Sequence, residues 1–186
     1  FIHNELIVSN EYINIHTNGQ WIYSVSATRI CQSNSLQEQG KELWKSNAAV
    51  ITASAFANLL AFATNDLRLH VMDLAAPACP IVHNLDAEVS ALAVWKSSVA
   101  VCCWDGSISI IGSQGEKSIV SRKQDWLPRS IWFGDELDGT LLCVIGFAEG
   151  TLHAYRWDRS WSLAASFDCG VLPLDIHRGT GVLYIG

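Results

Sequence analysis

The chain repeats one hairpin pattern at intervals of about 40 residues, and this repeat limits the folds it can adopt. Each copy reads as an apolar strand, a polar turn of two or three residues and an alternating strand. Asp105-Gly106 is a strong two-residue hairpin signal, Glu149-Gly150 supplies the same glycine, and Asn65-Asp66 is expected to tolerate the left-handed backbone of such turns. The four copies are Tyr23–Cys31, Phe62–His70, Cys102–Ser109 and Phe147–His153.

The residues between these hairpins also favour strands. A further β-prone run precedes each hairpin, and a more polar run follows it. The preceding runs are Tyr12–His16, Ala49–Ala53, Val89–Trp95 and Arg129–Phe133, and the following runs are Glu42–Lys45, Pro80–Asn84, Lys117–Arg122 and Leu163–Phe167. Four strands in each repeat predict an all-β chain, a β-propeller with about four four-stranded blades. A β-sandwich also has many short strands, but it does not repeat one hairpin at a near-constant interval.

These repeats predict where the blades begin and end. The expected blades are residues 11–47, 48–87, 88–127 and 128–170, and residues 171–186 begin the next blade, so that 1–186 is one partial propeller. The first residue is Phe1 and the single methionine is Met72. We therefore expect a larger, seven-bladed ring that continues beyond both ends, because an arc of blades leaves open sides that ring closure removes.

Composition excludes several classes of function. The chain has 18 acidic and 12 basic residues and no basic stripe, so we expect no direct contact with nucleic acid. No apolar run is long enough to cross a membrane. The six cysteines form no C-x-x-C pair, which predicts buried thiols that pack as small apolar groups rather than a zinc site or a disulfide framework.

Two motifs resemble a known family. Leu127–Ile131 reads LPRSI, and Leu141–Leu152 reads LLCVIGFAEGTL. Together they resemble the "PRSI" and "LLCALGDGxL" stretches in the family of the large subunit of damage-specific DNA-binding protein, the three-propeller adaptor of cullin-4 ubiquitin ligases. Gly170–Pro173, which reads GVLP, resembles the family's "GTQP" step, and the similarity extends over nearly the whole chain from about Tyr12.

The resemblance implies a function and its partners. The matching region is the second propeller, which docks the cullin, so the chain is expected to be a non-catalytic adaptor in the nucleus and cytoplasm, with roles in the DNA damage response and protein turnover. Substrate-receptor proteins would bind other propellers of the full-length chain. Two relatives keep a second reading open, a scaffold of an mRNA polyadenylation or splicing complex. They are the large subunit of the cleavage and polyadenylation specificity factor and a large subunit of splicing factor 3b.

The resemblance also suggests residues that face the cullin. Trp104 matches a position on the family's cullin-facing surface and sits at a hairpin tip, where an exposed ring can serve as a binding hot spot. Glu88 matches an acidic position on the same surface and could pair with a cullin Arg or Lys, and Asp105 lies beside Trp104. Packing between blades is the alternative for Trp104, and simple solvation is the alternative for Glu88. The chain departs from the family here, since Trp104-Asp105-Gly106 forms a tighter hairpin than the family's Trp-Thr-Asp.

Weaker candidates lie on another loop. Trp157 and Trp161 flank Asp158–Ser160, which contains Arg159, and such a loop on a propeller rim could anchor a partner or could pack on its own blade. His70 and His153 occupy equivalent repeat positions, which explains both without a metal. No convergent set of nucleophile, base and acid is visible, and no glycine-rich phosphate loop is present, so we expect no catalytic residues, metal or cofactor.

Overall fold

The computed structural model describes residues 12–17, 21–34, 40–77, 79–112, 115–122, 125–136, 138–178 and 183–186. Every regular element in these ranges is a β-strand. The strands are β1 (Tyr12–Thr17), β2 (Ile22–Ser26), β3 (Arg29–Ser33), β4 (Lys41–Lys45), β5 (Val50–Phe56), β6 (Leu59–Thr64), β7 (Arg68–Asp73), β8 (Ile81–Asn84), β9 (Val89–Trp95), β10 (Ser98–Cys103), β11 (Ser107–Gly112), β12 (Lys117–Arg122), β13 (Pro128–Asp135), β14 (Leu141–Phe147), β15 (Thr151–Asp158), β16 (Ser160–Asp168), β17 (Ile176–Arg178) and β18 (Leu183–Ile185).

Each group of four consecutive strands forms one antiparallel sheet in sequence order. The sheets are β1 to β4, β5 to β8, β9 to β12 and β13 to β16, and β17 pairs with β18 in a two-stranded sheet. The first strands contact one another in order, β1 with β5, β5 with β9, β9 with β13 and β13 with β17. First strands inside and fourth strands outside are the arrangement of propeller blades. The predicted fold class, about four four-stranded propeller blades, is therefore confirmed.

The middle strands are apolar throughout because both of their faces are covered. In β10, Ala100 and Cys102 pack into the core between the third and fourth blades. Val99, Val101 and Cys103 point to the other side of the sheet and pack into the core between the second and third blades. Successive residues of a strand point to opposite faces, so a strand buried between two neighbours cannot alternate polar and apolar residues.

One backbone irregularity recurs in all four complete blades. The first strand carries one extra residue at its second position, a β-bulge that lets two residues face one residue of the next strand. The extra residues are Ile13, Ile51, Ser90 and Arg129. The fold therefore fixes a bulge at this position and accepts several side-chain types in it.

The outer strands carry features that discourage edge pairing. An extra residue also interrupts β4, β12 and β16, at Leu43, Val120 and Ala164. The strand β8 has no bulge, but it is four residues long and follows Pro80. Bulges, short strands and prolines all prevent an exposed edge from recruiting another strand.

The hairpin turns correct one sequence prediction. Between β10 and β11 the turn has three residues rather than two, and Gly106 takes the left-handed conformation at φ 77°. Gly150 does the same at φ 84°. In the second blade the left-handed residue is Leu67, at φ 62°, and not Asn65 or Asp66 as predicted. A three-residue turn places its left-handed residue last, so the register of the turn decided this position.

The three motifs that carry the family resemblance meet at one buried contact. Ser130 of the LPRSI motif donates a hydrogen bond from its hydroxyl to the carbonyl oxygen of Pro173, at 2.7 Å. A Cβ placed on Gly146 of the LLCVIGF motif would lie 2.4 Å from the Ser130 hydroxyl and 2.6 Å from the Pro173 ring. Gly146 is therefore required for Pro173 to approach the fourth blade, and the motifs have a structural role.

Gly146→Ala is expected to lower the free energy of unfolding by about 1 to 3 kcal/mol, because the added methyl group must displace a buried proline. Urea denaturation followed by circular dichroism measures the change. Gly112→Ala is the matched control, since its Cβ would meet the carboxylate of Glu116, the end of an exposed and flexible side chain. Equal losses in the two variants would contradict the proposed role of Gly146.

Candidate protein-binding face

The antiparallel sheets place the loops of each blade at two opposite ends. Val89, at the start of β9, pairs with Cys103, at the end of β10, so Glu88 and Trp104 lie at the same end. The tip between β15 and β16, which contains Arg159, lies at the other end of its sheet, with the start of β14. The structure therefore brings Glu88, Trp104 and Asp105 together and separates them from the weaker candidates.

We call the first of these surfaces the Trp104 face, defined by Glu88, Trp104, Asp105 and Arg129. The Trp104 backbone N–H donates to the carbonyl oxygen of Glu88 at 2.9 Å. The guanidinium carbon of Arg129, from the fourth blade, lies 4.5 Å from the centre of the Trp104 ring. Trp104 is half-buried, while Glu88, Asp105 and Arg129 are exposed. Residues from two blades thus form one continuous surface.

Neighbouring blades show that the fold does not require these side chains. The backbone contact between Trp104 and Glu88 recurs as Asn65 to Ala49 and as Ala148 to Leu127, also at 2.9 Å. Asn, Ala and Leu therefore serve at positions where this site has Trp and Glu. Three departures from the repeat, at Glu88, Trp104 and Arg129, meet on one surface, which is expected of a binding site rather than of a packing requirement.

Asp105 has a defined structural role in the turn. Its carboxylate accepts hydrogen bonds from the Ser107 backbone N–H at 2.9 Å and from the Ser107 hydroxyl at 2.6 Å. Partial burial raises the pKa of Asp105, but the Ser107 hydrogen bonds and the charge of Arg122 together lower it below its ordinary value. The Asp105 side chain is exposed, but its carboxylate is already hydrogen-bonded to Ser107. Among the three sequence candidates, Asp105 therefore has the clearest structural explanation.

Of the three weaker candidates, Trp161 packs between blades, whereas Trp157 and Arg159 are exposed. The rings of Trp157 and Trp161 lie 5.5 Å apart across the hairpin. Trp161 also donates from its indole N–H to the hydroxyl of Ser118 at 3.3 Å and packs beside Phe133. Trp157 is 37% exposed, and Arg159 lies at the tip with φ 63°. Trp161 therefore joins the third and fourth blades.

Sequence reasoning identified the equivalence of His70 and His153 but missed the aromatic clusters around them. His70 stacks on Phe62 with ring centres 4.7 Å apart and meets the edge of Trp44, from the preceding blade, at 5.4 Å. His153 lies 4.4 Å from the ring of Trp126, which stands before the first strand of the blade that contains His153. Both histidines are buried. Within the described residues, no cluster of His, Cys, Asp and Glu could hold a metal ion.

His70 is buried beside a short hydrogen-bond chain. The hydroxyl of Thr64 donates to Asp66 at 2.6 Å, and it lies 3.2 Å from Nε2 of His70, so it accepts a hydrogen bond from that nitrogen. The buried Nδ1 has no hydrogen-bond partner among the described residues. Burial lowers the pKa of His70 below its ordinary value, and Asp66 opposes this while Arg68 adds to it. His70 is therefore held neutral.

The cysteines agree with the prediction of buried thiols at three positions, while Cys31 and Cys169 are only partly buried and Cys79 is exposed. Cys102, Cys103 and Cys143 are buried, and burial raises the pKa of each thiol. Cys79 is exposed, which corrects the expectation of buried thiols throughout. It lies in the loop before the short strand β8, outside the cores between blades.

No helix among the described residues is long and apolar enough to span a membrane.

The sequence analysis included Arg129 in the LPRSI motif but not among the candidate binding residues. The signal was present in the repeat, because its position one residue before Ser130 corresponds to Ser90 and Ile51 in the preceding blades. Because Ser90 and Ile51 carry no charge there, the fold does not require the charge of Arg129. The contact between Arg129 and Trp104 joins two blades, so it depends on the tertiary structure.

Comparison with known proteins supports the fold alone. No protein-family model and no curated protein sequence matches the chain. Among solved structures it is similar to the computationally designed Ika8 protein, with a TM-score of 0.72 and 16% identity over 91% of this chain and 53% of that one. It is also similar to the β-propeller domain of Cps50 (Swd1) from Myceliophteria thermophila, with a TM-score of 0.69 and 13% identity over 87% of this chain and 58% of that one. The chain thus spans little more than half the length of each and folds as a propeller.

Lowering the pH below about 6.5 is expected to destabilise the protein through His70. The unfolded chain binds a proton at this histidine more readily than the folded chain does, because burial lowers the folded pKa. The stability that neutral His70 contributes is fully present above the pKa of this histidine in the unfolded chain. It is lost as the pH falls through the lower pKa of the folded chain. Urea midpoints measured from pH 7.5 to 5 report it, and His70→Phe is expected to flatten the slope. The same slope in both proteins would contradict this role.

Trp161→Ala is expected to lower the free energy of unfolding by about 2 kcal/mol or more, because it leaves a cavity where the indole packs between two blades. Trp157→Ala is expected to cost less than about 1 kcal/mol, since that ring is more exposed. Urea denaturation of the two variants side by side makes the comparison. A larger loss for Trp157→Ala would show that the exposed ring, and not Trp161, joins the blades.

Proposed function

We propose that this chain is part of a non-catalytic adaptor propeller whose Trp104 face docks a cullin-4 type scaffold in a ubiquitin ligase. The observation that carries the proposal is the meeting of Glu88, Trp104 and Arg129 on one surface, at positions where the fold accepts other residues. The resemblance of the LPRSI, LLCVIGF and GVLP motifs supplies the family. Their contact at Ser130, Gly146 and Pro173 supports a shared blade architecture.

The chemistry of the Trp104 face suits a protein partner. A half-buried Trp offers a large apolar surface at low entropic cost, and Trp is among the residues most enriched in binding hot spots. Glu88 is exposed and could pair with an Arg or Lys of the partner. Since both loops start from strands packed between blades, the surface is preformed, and binding would order few additional groups.

The wider role belongs to the full-length protein. We propose a place in the DNA damage response and protein turnover, in the nucleus and cytoplasm, with substrate-receptor proteins bound through other propellers. The family resemblance supports these assignments. A propeller scaffold of an mRNA polyadenylation or splicing complex is the other outcome that the binding experiment can return.

Pull-down with a cullin-4 N-terminal domain tests the proposal. The chain is expected to retain the cullin domain, and Trp104→Ala is expected to weaken binding by about 2 kcal/mol, or roughly 30-fold. Glu88→Arg is expected to weaken it further by placing like charge against the partner. Isothermal titration calorimetry gives the affinities, and thermal unfolding confirms that each variant is folded.

Trp157→Ala is the matched control, because it removes a partly exposed indole at the opposite end of the sheets. It is expected to bind the cullin domain as the unmodified chain does. Binding of polyadenylation or splicing subunits by the unmodified chain, with no binding of the cullin domain, would refute the ligase proposal.

A further inference from the structure

Arg129 is held in place by the ring beneath it. It is the extra residue of the bulge at the start of β13, and a bulge redirects the side chain that it carries. Its guanidinium carbon lies 4.5 Å from the centre of the Trp104 ring, within the range of a cation–π contact. Because the plane of a stacked guanidinium is fixed, its N–H groups keep a defined direction.

The N–H groups of Arg129 have no protein acceptor among the described residues. The ion pairs of that part of the chain involve Arg68, Lys96, Lys117 and Arg156. The carboxylate of Asp105, on the same face, is bound by Ser107 instead. Arg129 is exposed as well, so a partner can reach its donors.

We propose that Arg129, stacked on Trp104, binds a carboxylate of an Asp or Glu side chain on a partner protein. A guanidinium presents paired N–H donors that match the two oxygens of a carboxylate. The inference rests on the proposed function in taking the Trp104 face as the docking surface, and it adds the chemistry of the partner. Glu88 would face a basic residue and Arg129 an acidic residue, so the surface requires a partner with both charges in a fixed order.

The acidic surroundings favour a carboxylate over a phosphate. Glu88 and Asp105 lie on the same face and are exposed, and the chain has a net charge of −6. A phosphate carries nearly two negative charges at neutral pH and would be repelled more strongly than a single carboxylate. The bound group is therefore expected to be an unmodified acidic side chain.

Titration with short peptides tests this chemistry without any assumption about the cullin. Two end-capped peptides that differ in one residue, glutamate or glutamine, are added to the ¹⁵N-arginine-labelled chain, and the Nε–Hε signals are followed by NMR. The signal that Arg129→Lys removes belongs to Arg129. The glutamate peptide is expected to shift this signal several times more than the glutamine peptide. Equal shifts, or a larger shift with a phosphoserine peptide, would overturn the inference.

Arg129→Lys also separates the inference from the proposed function. Lysine keeps the charge but loses the planar stack and the paired donors, so it is expected to weaken cullin binding roughly tenfold. Arg159→Lys, at an exposed arginine at the opposite end of the sheets, is expected to have no effect. Unchanged cullin binding in Arg129→Lys would overturn the inference and leave the proposed function standing. A larger NMR shift with the glutamate peptide, but no binding of the cullin domain, would support the inference and contradict the proposed function.

Discussion

Burial of each sheet between two neighbours is the constraint on which the rest of the structure depends. A single four-stranded blade has two apolar faces and cannot cover either one by itself, so each core is shared between adjacent blades. In β10 the alternating residues divide between two such cores. Trp44 and Trp126 reinforce the sharing, because each packs on a phenylalanine and a histidine of the following blade. Stability is therefore a property of neighbouring pairs.

The same constraint determines where polar and irregular features can occur. Bulges appear at the start of the first strands and in three outer strands, which are the places where the backbone is not locked between two cores. At the outer edge a bulge discourages further pairing. At the start of β13 the extra residue is Arg129, which is exposed beside the Trp104 ring.

A repeated fold gives an internal reference for recognising function. Residues that recur at equivalent turns, such as Asp66, Asp105 and Glu149 in the second to fourth blades, are explained by local geometry. Glu88, Trp104 and Arg129 do not recur, and they converge between two blades. By contrast, the motifs that resemble a known family converge on Gly146 and Pro173, where they hold the backbone together. Ser130, Gly146 and Pro173 are thus structural, while Arg129 of the same LPRSI motif lies on the candidate binding face.

The sequence by itself determined the strands, because apolar or alternating runs bounded by turn residues act locally. The strands β9 and β12 match their predicted bounds, and the others differ by a few residues at their ends. The sequence also identified Trp104 and Glu88 as candidate binding residues, through the hairpin repeat and the family resemblance. Only the tertiary structure placed Arg129 over Trp104 and Trp126 beside His153, and only it separated Trp157 from the Trp104 face. These relations join residues of different blades or opposite strand ends, and the packing of one sheet on the next sets them, which no local pattern encodes.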